Sequence, residues 1–236
     1  MPVTQNKTFK MPVNLSKYKE IVEELNSKDI ALVAVSKVRT DKEILQLYNE
    51  GQKDFGENYV QELVEKQLLL PDDVRWHFIG HLQSNKVKLI APFVHLIHGV
   101  DSLKLLKEIS KQGAKINRVI HCLLQIHIAE EQTKFGLDEE ELLNVIAEAK
   151  QKPLEYSHVF IDGLMGMATF SDDEEKVRGE FKYIKYMFDK YQDVKTANCN
   201  LSILSMGMSG DYQLAIEEGS NMVRIGSLLF GARPTK

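Results

Sequence analysis

The 236 residues carry 43% hydrophobic and 27% charged side chains, a balance that supports a large core and excludes a disordered or fibrous chain. A net charge of -4 gives no electrostatic footprint for nucleic acid or an anionic membrane, and no stretch approaches the roughly 20 consecutive apolar residues of a membrane span. Two cysteines, Cys122 and Cys199, form neither a disulfide framework nor a metal motif, and the N-terminus lacks the apolar core of a signal peptide, so a cytoplasmic protein with both thiols buried is expected.

The length suits one α/β barrel, a fold of roughly 250 residues, and one domain over 1–236 is the simplest organisation. Residues 1–13 read as a mobile extension before a first helix over 15–27. Residues 30–40, IALVAVSKVRT, begin as an unbroken apolar run without alternation, the pattern of a strand buried on both faces in a parallel sheet. Thr40 and Glu43 form a capping box, and Ile44, Leu45, Leu47 and Tyr48 give the helical stripe behind it. Gly51 ends that helix. A short second strand follows over 53–56, with a helix over 58–70 stopped by Pro71.

RWHFI over 75–79 reads as a third strand, followed by GHLQSNK and a helix to Ile90. Residues 94–98 make a fourth strand, and Asp101 or Ser102 caps a helix to Lys111. A long fifth strand is expected over 117–127 and a helix with an acidic first turn over 138–150, with the polar loop IAEEQTKFG between them. The sixth strand covers 158–164. Ser171 and Glu174 then form a second capping box before a stripe at Val177, Phe181, Ile184 and Phe188. The seventh strand is placed at 201–204, its helix at 211–218, the eighth strand at 222–225 and a turn of helix at 227–230. Eight strands alternating with helices select an α/β fold, a single (β/α)8 TIM-type barrel with an N-terminal helix, over an open doubly wound sheet.

In such barrels ligands bind beyond the carboxyl ends of the strands, where Lys37 ends the first strand. Desolvation would free its amine as a nucleophile toward an aldehyde; alternatively it marks only where the strand meets water. The turns after strands seven and eight, Ser205 to Asp211 and Arg224 to Ser227, lie where these barrels often bind phosphate. Gly207, Gly210 and Gly226 permit close approach, and Ser209 and Ser227 supply hydroxyls, unless both turns are ordinary caps. Closure brings strand eight beside strand one, making Lys37 and the Ser227 loop neighbours and bringing Asn58 to the same rim. Arg224 then shares the inward face with Met222, and a buried arginine needs a partner such as an aromatic nitrogen. Amine, phosphate cradle and cation together describe pyridoxal 5'-phosphate (PLP). Met165, Met167, Met206 and Met208 cluster near this rim, to pack on a flat ring or to fill gaps. His77 and His81 straddle a strand end and are not expected to bind zinc, and His95 and His98 read as core or surface side chains.

The motifs AVSK, FGENYVQE, WHFIGHLQSNK, KFGL, GLM and LSMGMSGDYQLAIEEGSNMVRIGSLLFGAR resemble the pyridoxal phosphate homeostasis proteins, a cytoplasmic family similar to the barrel domain of alanine racemases. The resemblance covers residues 31–233 and implies that Lys37 holds PLP as a Schiff base, with Asn58 and Met208 near the ring, Ser209, Gly226 and Ser227 on the phosphate, and Arg224 facing the pyridine nitrogen. The chain departs from the family at Val38, Arg39 and Thr40, at Gly99, and in the HIAEEQTK stretch beginning at His127, all of which touch the rim.

Racemisation needs bases on both faces of the substrate, and alanine racemases, by the family comparison, take the second from a partner subunit and carry a C-terminal β domain. The end of the chain at Lys236 is expected to leave no room for that domain. A cation at the ring nitrogen also makes a poor electron sink. The expectation is therefore a monomeric, non-catalytic carrier in PLP and amino-acid homeostasis, with apo PLP-dependent enzymes as recipients. A weak PLP-dependent racemase is the alternative, and a class I Schiff-base aldolase a second one.

Overall fold

A computed structural model describes residues 13–128 and 135–232. The N-terminal extension expected over 1–13 lies almost wholly outside the described residues, as does most of the loop after His127. The chain opens with α1 (Leu15–Asn26), capped by Asn14, whose side chain accepts from the Lys17 N–H. Tyr18, Ile21 and Leu25 recur at helical spacing, so one face of α1 is buried.

Then follow β1 (Ala31–Val35), α2 (Asp41–Asn49), β2 (Asp54–Glu57), α3 (Val60–Gln67), β3 (Arg75–Phe78), a 3-10 turn at Ser84–Lys86 running into α4 (Val87–Ile90), β4 (Leu96–Val100) and α5 (Leu103–Lys115). The second half runs β5 (Ile120–Gln125), α6 (Glu139–Gln151), β6 (Val159–Met165), α7 (Glu174–Tyr191), β7 (Lys195–Thr196), β8 (Cys199–Met208), α8 (Tyr212–Glu217), β9 (Met222–Ile225) and α9 (Ser227–Phe230). Strands β1 to β6 pair in order, β6 pairs with β8, β8 with β9 and β9 with β1, all parallel. The sheet is therefore a closed eight-stranded barrel with helices between its strands. Val, Ile and Leu side chains on the outer faces pack under the helices, while Val33, Leu96, Leu123, Met165 and Met222 fill the barrel itself.

The departures from the sequence reading have local causes. The two-residue β7, antiparallel to the start of β8, was not anticipated, because two residues carry no periodicity. Strand β8 runs ten residues rather than four. Gly207 reads as a turn residue, but its φ of +93° serves a bulge inside the strand, where the pairing with β9 shifts register between Ser205 and Met208. The capping box of Ser171 and Glu174 does not form. Asp173 is the cap and accepts from the Lys176 N–H, since an anionic carboxylate suits the helix dipole better than a hydroxyl, and Ser171 turns instead to the Asp173 N–H. The acidic turn at Asp138 and Glu141 is itself a capping box.

Candidate functional site

At the carboxyl end of the barrel a cavity of about 300 Å³ is lined by Lys37, Met208, Ser209, Arg224, Gly226 and Ser227, together with Arg39 and Phe170. Register explains the grouping. Val33 pairs with Arg224 and Ala34 with Ile225, so the end of β1 and the β9–α9 turn leave the barrel side by side. Gly226 is the N-cap of α9, and a Cβ there would stand 3.3 Å from both Val35 Cβ and Val35 O. Its N–H donates to Ser209 Oγ at 3.0 Å, which ties the two turns together. Asp211 Oδ1 accepts from the Met208 N–H and holds the first turn tight.

Lys37 sits two residues past β1 in a turn gripped on both sides. Ser36 Oγ donates to Glu57 Oε1 at 2.5 Å, Lys66 Nζ donates to the Ser36 carbonyl at 2.7 Å, and the Val38 N–H donates to Glu62 Oε1 at 2.6 Å. Lys66 also bridges Glu57 and Glu62 at 2.7 and 2.6 Å. These bonds hold Val38 at a φ of +63°, an uncommon conformation for a β-branched residue. Burial pushes the Glu57 carboxyl up to about 7 against the pull of Lys66, and its Oε2 is buried without a hydrogen-bond partner. One turn further on, the buried Arg39 donates to the carbonyls of Gly231 and Ala232, pinning the chain that follows α9 to the rim.

Arg224 is 3% exposed and spends two N–H groups on the protein, one on Ser205 Oγ at 2.7 Å and one on the Gly166 carbonyl at 3.0 Å. Burial lowers its pKa to about 10, which leaves it cationic at neutral pH. Asn58 stands apart from this group. It lines a second cavity of about 180 Å³ that shares Ile79 with the first, and its buried Oδ1 has no hydrogen-bond partner. Such an amide is ready to turn either face toward an added ligand.

Six of the seven expected site residues thus line one cavity, with Asn58 beside it. The Ser36, Glu57, Glu62, Lys66 clamp and the Arg39 anchor were missed. Glu62 and Lys66 are four apart on α3, which signals an ion pair, yet spacing alone does not say that the pair faces the Lys37 turn. Larger clefts of about 640 and 760 Å³ lie at the amino end of the barrel and along α5, so the lining, rather than the volume, singles out the site. His77 and His81 do not pair: His81 bonds Asp101, and His77 bonds His98 and Asp54. His98 is core and His95 is exposed. Both cysteines are buried and free, and no helix among the described residues is long and apolar enough to cross a membrane.

The model of the alanine racemase N-terminal domain family matches residues 13–234. Curated pyridoxal phosphate homeostasis proteins of Aquifex aeolicus and Haemophilus influenzae are 41% and 36% identical over 203 and 214 residues, spanning 86% and 89% of this chain and 86% and 88% of their own. The solved structure of PipY of Synechococcus elongatus, with PLP bound, superposes with a TM-score of 0.78 at 33% identity, covering 90% of this chain and 99% of that one. A barrel of this topology, with this cavity and these relatives, places the chain in the pyridoxal phosphate homeostasis protein family, within the alanine racemase N-terminal domain family.

Proposed function

We propose that this chain binds PLP in the cavity at the carboxyl end of the barrel and serves PLP and amino-acid homeostasis by holding and releasing the cofactor, with little turnover of its own. One observation carries the reading: a lysine at a strand end, two turns with serine hydroxyls and a close-approach glycine, and a buried arginine all line one cavity. When bound, PLP supplies an aldehyde that condenses with a primary amine, losing water, and a ring that can delocalise charge.

The chain's residues divide the work. Lys37 offers the amine at the end of β1. Ser209 and Ser227 would hold the phosphate, and Gly226 would let the chain come close. Arg224, already oriented by Ser205 and Gly166, would donate to the ring nitrogen and keep that atom unprotonated, which would weaken the ring as an electron sink. Met208 offers a polarizable side chain at the ring's edge, and the Asn58 amide reaches the rim from across Ile79. A weak racemase is the second reading, resting on the alanine racemase N-terminal domain match. An aldolase would use the lysine and the phosphate turns but leaves Arg224 without a role. A cytoplasmic monomer delivering to apo-enzymes completes the proposal.

The test is direct. Purified protein incubated with PLP should turn yellow, and borohydride should then fix the pyridoxyl group on Lys37. Peptide mapping that finds the label chiefly on another lysine, Lys86 for example, would remove Lys37 from its assigned place.

A further inference from the structure

Beneath Arg224 the barrel is filled largely by apolar side chains, yet one line of polar groups crosses it from end to end. Arg224 Nη1 donates to Ser205 Oγ at 2.7 Å, and Ser205 Oγ lies 3.2 Å from His98 Nδ1. His98 Nε2 is 2.9 Å from His77 Nδ1, and His77 Nε2 is 2.9 Å from Asp54 Oδ1. Asp54 in turn holds Arg75 through both carboxylate oxygens, at the cleft on the amino end of the barrel. Ser205, His98, His77 and Arg224 are buried, whereas Arg75 is half exposed. Packing alone does not call for such a line, because an apolar layer would fill the barrel without the cost of burying polar groups.

The two ends fix the direction of the links they make. Arg224 can only donate. Burial by itself would raise the Asp54 carboxyl, but hydrogen bonds from Arg75 and His77 outweigh it and hold that carboxyl well below its ordinary range, so Asp54 can only accept. His77 therefore carries a hydrogen on Nε2, and the tautomer with that hydrogen alone presents a bare Nδ1. His98 must donate to that atom from its own Nε2, which leaves its Nδ1 to accept the Ser205 hydroxyl hydrogen. Ser205 is then left with a lone pair for Arg224. Burial above all keeps His98 neutral, as this ordering requires.

We propose that Asp54, His77, His98 and Ser205 are positioning residues that hold Arg224 in one orientation toward the ring of the cofactor and carry the protonation state of the barrel's amino end to it. This inference rests on the PLP reading above. Moving the hydrogen of His77 to Nδ1 obliges His98 to carry its own on Nδ1. Ser205 Oγ then faces two donors, His98 and Arg224, and its hold on the guanidinium changes. The groups around the two imidazoles are Asp54 from β2, Arg75 from β3, His95 before β4, whose ring centroid lies 5.3 Å from that of His77, His121 from β5 with its partner Asp162, and Arg224 from β9.

Nitrogen-15 NMR of the whole unliganded protein reads the ordering, and the visible band of the PLP-loaded protein, titrated with pH, reads its consequence. Hydrogen should lie on Nε2 of both imidazoles, with Nδ1 of each bare. Asp54→Asn keeps the shape at the part-exposed far end, yet lets an amide donate, and should move His77 toward the Nδ1–H form. Asp54→Asn and Ser205→Ala should each shift the titration midpoint of the band by roughly half a pH unit or more, the effect of reorienting one charge-assisted hydrogen bond. Hydrogen on Nδ1 of either histidine in the wild type overturns the ordering. A wild type that takes up no PLP defeats the functional reading and this inference together, whereas a wild-type band whose midpoint is unmoved in both variants defeats this inference alone.

Discussion

The amine of Lys37 is presented by a turn that would not hold itself: Val38 lies in the left-handed region, and Ser36, Glu57, Glu62 and Lys66 are spent on keeping it there. Glu57 is the most exacting member, fully buried and pushed by burial up to about 7 from the ordinary 4.5. Because the folded pKa lies above the unfolded one, the folded protein keeps a proton there that the unfolded chain has already lost between those two values. The residue's contribution to stability therefore falls as pH rises from about 4.5 to about 7 and stays low above that window. Glu57→Gln has no such proton to lose. Its stability relative to wild type should rise across that window by up to about 3 kcal/mol, read from urea unfolding near its two ends. Parallel stability curves would show that Lys66 keeps Glu57 ionised throughout.

At the scale of elements, the site is two turns and a strand end, and the turns depend on each other. Ser209 Oγ accepts from the Gly226 N–H, so removing the hydroxyl also loosens the β9–α9 turn that Ser227 occupies. Ser209→Ala combined with Ser227→Ala should weaken binding of PLP far more than binding of unphosphorylated pyridoxal. Hydrogen bonds to a charged group contribute roughly 1.5 to 3 kcal/mol each, so one to several decades of affinity are at stake. Equal losses for the two ligands, measured by fluorescence titration, would mean that the turns are only structural. These elements were legible in the sequence because their signals are local: the apolar run into Lys37, the glycine–serine turns, and the helical stripes between them. Gly207 misled for the same reason, since a glycine in a strand bulge and a glycine in a loop look alike until the partner strand is known. Asn58, one residue past the end of β2, lines a cavity next to that of Lys37 across Ile79, a detail of side-chain packing that strand order cannot give. The sequence signals the Glu62–Lys66 pair but neither its facing on the Lys37 turn nor the histidine column, because each joins residues whose contact exists only once the barrel has closed.

At the scale of the whole molecule, the proposed reading joins a firm hold on the phosphate end to a rim that is exposed among the described residues. Ser227 and Met208 are exposed, Lys37 is half-buried, and Phe170 at the rim is almost fully in solvent, so water reaches the cavity rim. Carbanion chemistry is favoured by a dry site and an electron-poor ring, whereas the described residues leave the cavity rim exposed, and in the proposed reading Arg224, a buried cation that stays protonated at neutral pH, would meet the ring nitrogen. The same openness favours exchange. Holo-protein mixed with an apo-enzyme that needs PLP should therefore restore that enzyme's activity, and faster than a sample whose cofactor has been fixed by borohydride, which should restore none. Alanine or serine added to the holo-protein should change its visible band without losing optical purity. Proton exchange at Cα in heavy water on the order of 1 per second or faster, the pace of ordinary enzymes, would overturn the carrier reading and favour the racemase in its place.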